Sequence, residues 1–300
     1  MSANIPQQYT ISFSTNVSLL LQQKGSKLRG LVMEGPHVGK QASPVDQVGA
    51  VNASKVVTRF GAKGRTDAPL DRRWVFPVDY DLNQLIDTFD KLRLVTDPES
   101  QYVTNAVYAM GRAMDDEILA NIFAASKTGE QGSTSTAFLA ANVVGVNTGG
   151  TASNMNVAKI RAGKRLLLSY EVDFDNDPVF MAISSDEHDA LLNEIQVISS
   201  DFNGADKPVL SEGKVQRFLG VNFIHCERVN NNDGTDDQSG TSTPIPMWAM
   251  SGMYLGVWKD AETNVSKRND LSGEPFQAYI LGTFGATRLE EKKVIKIWSR

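Results

Sequence analysis

The chain has 300 residues, 41% of them hydrophobic, enough to bury a sizeable core as one large domain or two modest ones. Thirty Lys+Arg against 35 Asp+Glu give a net charge of −5, which argues against tight, non-specific binding to nucleic acid but not against enclosing it. No apolar run approaches the ~18–20 residues of a membrane helix, Val17–Leu21 is too short for a signal-peptide core, and the single cysteine, Cys226, excludes an intrachain disulfide framework.

Residues 1–80 show no amphipathic helix and read as an arm: a loose lead segment, Met1–Val48, then one long hairpin. Its limbs are Ala53–Phe60 and Arg72–Tyr80, joined by a Gly/Pro-punctuated tip at 61–69. A lone hairpin is marginal in water, so something should cover it. Residues 1–80 hold ten Lys+Arg and five Asp+Glu, whereas 81–300 hold 20 and 30. A basic arm on an acidic body of the same sequence suggests that arms lie on neighbouring copies.

Further along, Leu82, Leu85, Ile86 and Phe89 share a helical face, so 81–92 reads as a short helix. Asp97-Pro98-Glu99 then supplies a cap, a first-turn proline and an acid. Val103, Val107, Met110, Met114, Ile118 and Ile122 recur behind it, predicting a long spine helix that Gly129 ends. Residues 129–153 read as a connecting loop with a short strand near Phe138, and 154–170 as a second helix. Val179–Ile183 is a buried strand, and Ser184 with Glu187 forms a capping box opening a helix on Leu191, Leu192, Ile195 and Ile198. The segment 201–214 is a loop, strand character resumes around Val221–Cys226, and 230–243 is a surface loop by composition. Trp248–Trp258, Phe276–Leu289 and Val294–Trp298 read as strands.

Taken together, these pieces resemble the major capsid proteins of tailed bacteriophages, the HK97 fold. The resemblance rests on the arm, the long hairpin (that family's E-loop) and the spine helix beginning Asp97-Pro-Glu-Ser-Gln-Tyr102. Val179–Leu192 and Gly220–His225 look like A-domain elements, and Gly285–Ile297 looks like a return into the P-domain sheet. The implied fold is α+β. Its divisions are an N-terminal arm at 1–48, the E-loop at 49–80, a P-domain at 81–175 with the spine helix at about 98–126, an A-domain at 176–260, and 261–300 returning to the P-domain sheet. The implied function is a shell of hexamers and pentamers closing into an icosahedral head around double-stranded DNA, assembled in the host cytoplasm and carried in the virion. Other copies of the chain, a separate scaffolding protein, a portal protein and a decoration protein are the implied partners, with no membrane and no cofactor. The candidate inter-subunit contacts are Arg59, Lys63, Arg65, Arg72 and Arg73 on the hairpin. Asp115, Asp116 and Glu117 on the spine helix are either a solvated face or a clasp for a neighbour's hairpin. The family's best-known member crosslinks a hairpin lysine; Lys63 occupies that kind of place, but plain solubilising charge at a hairpin tip is the simpler reading.

Chemistry is sparse. Gly35-Pro-His-Val-Gly39-Lys40-Gln41 has too few residues between its glycines and no Ser or Thr after the lysine, so it reads as a turn rather than a phosphate loop. Asp173, Asp175 and Asp177 alternate like the start of a calcium loop, but Pro178 and Ser184 stand where glycine and a bidentate acid are needed. An Asp-rich turn is the simpler reading, with a surface cation between subunits left open. His225 and Cys226 are adjacent on a strand and so point to opposite faces, which disfavours a Cys/His nucleophile. Two alternatives remain: an encapsulin-type nanocompartment shell, which shares the fold, and an enzyme with an unrecognised site. Residues 1–30, polar apart from Val17–Leu21, favour the virus over the nanocompartment.

Overall fold

The computed structural model describes residues 22–39, 46–53, 55, 65–86, 99–194, 197, 213, 215–231, 242–272 and 274–300. The spine helix, α1, spans Glu99–Phe123, and its 25 residues extend about 38 Å at 1.5 Å per residue. Ala106, Met110, Met114, Ile118 and Ile122, at steps of four, are all buried. Val107, expected in that row, is 39% exposed, because one residue of shift turns a side chain ~100° about the helix axis.

α1 lies on a four-stranded sheet ordered β1 (Met33–Pro36), β12 (Met253–Lys267), β13 (Phe276–Arg288) and β4 (Val78–Ile86). β1 pairs parallel with β12 and the other pairs are antiparallel. Ile280 and Phe284 of β13 and Tyr80 and Leu82 of β4 join the core, Tyr80 stacking on Phe284 at 4.7 Å between centroids.

β4 corrects the expected helix at 81–92. Tyr80, Leu82 and Gln84 are half-buried while Asp79, Asp81, Asn83 and Leu85 are exposed, a period of two that a run this short shares with a helical pattern. An unbroken ladder from Val78 to Ile86 against β13 decides between them. Phe89 lies outside the described residues. β1 likewise replaces the turn expected at Gly35-Pro36: a Cβ on Gly35 would run into the Tyr254 ring of the neighbouring strand.

The second sheet has six strands in the order β7 (Val143–Val144), β14 (Val294–Ser299), β11 (Thr243–Ala249), β8 (Val179–Ile183), β10 (Val221–His225) and β9 (Arg217–Phe218). β8 and β10 are parallel, which requires a crossover, and helix α3 (Ser185–Leu192) begins it. The expected capping box is present, with the Glu187 carboxylate accepting from both the Ser184 N–H and its hydroxyl. Helix α2 (Val157–Ser169) packs on β14 and is capped by Asn156, whose Oδ1 accepts from the Lys159 N–H at 2.8 Å. Pro244 and Pro246 sit where β11 has β14 on one side and no β8 pairing on the other, so their missing N–H groups cost no ladder bond.

Four further expectations change. Trp248–Trp258 is not one strand: a 3-10 turn at Met250–Gly252 sends β11 and β12 into different sheets. β14 does not join the sheet on α1 but pairs with β11 and β7. The stretch 129–153, expected as a loop, contributes to a third sheet, β2 (Asp46–Val48), β3 (Leu70–Trp74), β5 (Ser126–Thr128) and β6 (Thr134–Thr136). β5 and β6, polar strands of three residues each, give no apolar alternation to read. The limb expected at Arg72–Tyr80 is also split. Pro77 lacks an N–H and restricts Phe76, so β3 ends before it and β4 starts after it in another sheet. β3 pairs with β2 rather than with a described part of Ala53–Phe60, most of which lies outside the described residues.

Candidate assembly surfaces

The acidic trio of α1 faces its own chain. Asp115 is 0% exposed, and its carboxylate accepts the N–H groups of Lys27 (2.9 Å) and Leu28 (3.0 Å) and the side chains of Gln23 and Ser26. One turn earlier, Arg112 donates to Gln22 Oε1 at 2.8 Å and to the Gln23 carbonyl at 3.1 Å. Leu28 is fully buried, and Trp248 Nε1 donates to the Leu31 carbonyl at 3.0 Å, tying the segment to the six-stranded sheet. Residues 22–31 thus form a strap latched across the middle of α1. Asp116 pairs with Arg228, while Glu117 accepts from Tyr80 Oη and Asn121 Nδ2, each at 2.8 Å. The expectation of a solvated face or a neighbour's clasp is therefore corrected for Asp115, and Asp116 and Glu117 already have partners within the chain.

Gly111 makes the strap's close approach feasible, since a Cβ there would lie 2.5 Å from Gly25 C and Ser26 N. Gly111→Ala should destabilise by about 1–3 kcal/mol through overpacking, despite alanine's better helix propensity. Denaturant unfolding checks this, and a stabilised variant would refute the close approach.

Arg73, expected as an exposed contact, is only 5% exposed. It shares the Glu291 carboxylate with Arg288, which is 0% exposed: Arg73 Nη1 lies 3.2 Å from Glu291 Oε1, and Arg288 Nε donates to Oε2 at 2.6 Å. Arg288 Nη1 also donates to the carbonyls of Ile122 (2.9 Å) and Ala124 (2.8 Å), satisfying the C-terminal end of α1. Burial pushes the Arg288 guanidinium down from its usual range, and the bond to Glu291 opposes that. This Arg–Glu–Arg bridge fastens the third sheet, at the base of the arm, to the end of β13 and, through Arg288, to α1.

The exposed surface near the arm is a different matter. Leu70 is 77% and Val48 68% exposed on β3 and β2, beside a groove of about 450 Å³ lined by Asp46, Gln47, Asp71 and Arg72. Arg72 makes a two-point pair with Asp46, and Arg65 is exposed beside Asp67 at 2.8 Å. Arg59 and Lys63 lie outside the described residues.

Residues that could carry chemistry have structural partners. His225 is exposed and 2.6 Å from Glu227, whereas Cys226 is fully buried, and that burial pushes its thiol pKa up. Asp173 accepts from the Asp175 N–H at 2.9 Å in a turn, while Asp177 receives the Ser251 N–H at 3.1 Å. Among the described residues, no group of three or more His, Cys, Asp or Glu could hold a metal ion.

The sequence matches the phage capsid protein family over residues 5–299. No curated protein matches it. Among solved structures, a capsid chain of cyanophage P-SCSP1u is similar with a TM-score of 0.75 at 13% identity, covering 100% of this chain and 95% of that one. The capsid of cyanophage Pam1 gives 0.73 at 10% identity, covering 99% of both chains. A chain of Mycobacterium phage Che8 gives 0.69 at 13%, covering 97% of both. Identities this low carry the fold alone, and the family match carries membership. The chain belongs to the phage capsid protein family and has an α+β, HK97-like fold.

Proposed function

We propose that this chain is a major capsid protein whose copies form hexamers and pentamers and close into an icosahedral phage head around double-stranded DNA. The family match over nearly the whole chain carries the reading. The surface chemistry supports it: apolar side chains stand exposed at the base of the arm, while the buried charges fasten the subunit together. Rings of one chain need two different, complementary surfaces, and a basic arm on an acidic body supplies them. A scaffolding protein, a portal protein and a decoration protein belong to the same proposal. Analytical ultracentrifugation of the concentrated protein, alone and with its scaffolding protein, tests it. Capsomer- or shell-sized species are expected, and a monomer under every condition would refute it.

The arm supplies a second test. Arg65→Glu with Arg72→Glu should abolish shells yet leave the subunit folded, since exposed, solvent-screened ion pairs like these contribute little to stability. Arg73 is left intact because its burial makes it a folding residue. Shells of normal yield from the double variant would show that the arm does not bind a neighbour through these charges.

A further inference from the structure

Helix α2 carries Lys159, Arg161, Lys164 and Arg165 and no acid, within a body where acids outnumber bases 30 to 20. Lys159 is buried, its ammonium donating to the carbonyls of Ser153 and Trp298. Lys164 donates to the Leu219 carbonyl at 2.7 Å and lies 5.2 Å from the centre of the Phe174 ring. Arg161 and Arg165 remain, exposed one turn apart on one face, with no ion pair or hydrogen bond to described residues. Leu168, 53% exposed, continues that face. Together with Ala158, Ala162 and Leu219 these side chains line an open groove of about 570 Å³. An apolar floor rimmed by exposed guanidinium groups fits a surface offering carboxylates beside an apolar side chain. Bare phosphate would not need the floor.

The same lobe carries such a surface. Helix α3 has Asp186, Glu187 and Asp189 and no Lys or Arg. Glu187 is buried in the capping box, whereas Asp186 and Asp189 are exposed three residues apart and Leu192, three further on, is half-buried. α2 thus shows Arg–Arg–Leu at i, i+4 and i+7, and α3 shows Asp–Asp–Leu at i, i+3 and i+6. A head-to-tail ring joins two different surfaces of one chain. We propose that the α2 groove receives the α3 face of the next copy, with Arg161 and Arg165 taking Asp186 and Asp189, and Leu168 meeting Leu192. Guanidinium–carboxylate pairs set orientation as well as affinity, and here they would fix the rotation between neighbours. This rests on the ring-forming reading above.

A charge exchange tests the pairing. Arg161→Glu with Arg165→Glu, or Asp186→Lys with Asp189→Lys, should raise the concentration needed for assembly about tenfold or more, because attraction becomes repulsion. All four changes together keep the net charge at −5 and should restore assembly to near the unaltered level. Thermal unfolding of the unassembled subunits controls for folding. Asp186 lies in the first turn of α3, where a lysine opposes the helix dipole, so Asp186→Asn with Asp189→Asn serves as a milder variant expected to weaken assembly less. One-sided variants that assemble normally, or a fourfold variant that stays defective, would overturn the pairing. So would Arg161→Glu with Arg165→Glu shells that form normally but lose their nucleic acid, which would assign the groove to phosphate. If the unaltered chain forms neither rings nor shells, the ring reading itself falls instead.

Discussion

Asp115→Ala should cost about 3–5 kcal/mol of unfolding free energy, among the largest losses any single substitution in this chain would cause. Removing the carboxylate strands two backbone N–H groups and two side-chain donors beneath a segment that includes the fully buried Leu28. Each buried group left unsatisfied costs about 1–3 kcal/mol, and partial relaxation of the strap keeps the sum below the full total. Asp115→Asn keeps the shape and one acceptor, so it should cost less, about 1–3 kcal/mol. Urea unfolding measures both, and limited proteolysis at Lys24 and Lys27 should accelerate with the loss of the latch. A change below about 1 kcal/mol for the alanine variant would mean that Asp115 does not hold the strap.

Glu291→Ala should be comparably damaging. It leaves Arg73 and Arg288, 5% and 0% exposed, side by side with no carboxylate between them, and breaking a buried pair in this way costs about 3–5 kcal/mol. Glu291→Gln retains a hydrogen-bond acceptor but not the charge and should fall between the alanine variant and the unaltered protein. Equilibrium unfolding together with soluble yield provides the readout. Equal stability of the glutamine variant and the parent would show that hydrogen bonding alone, without charge, holds the bridge.

The sequence was most legible where a signal is local. The four-residue row along α1, the Ser184–Glu187 capping box and the apolar run of β8 each lie within a few turns of chain, and all three appear in the structure. What failed was set by distant partners. β4 has a pattern that suits either helix or strand until β13, about 200 residues away, supplies the ladder. β14 is an apolar strand that either sheet could take. The buried charges were hidden for a related reason. Asp115 and Arg73 look like surface residues because only their contacts with Leu28 and Glu291 bury them, and charges are rarely fully buried without such partners. One clue was available. Gly111 sits inside a long helix, where glycine costs about 1 kcal/mol relative to alanine, and that cost marks a place where another segment passes close by.

Electron cryomicroscopy of the assembled particle decides whether copies of this chain build a closed shell. Icosahedral particles of hexamers and pentamers are expected, each arm reaching onto the adjacent subunit and double-stranded DNA inside. Closed shells loaded with protein cargo instead of DNA would contradict the viral reading. A preparation that yields no rings or shells at any concentration would contradict the shell itself.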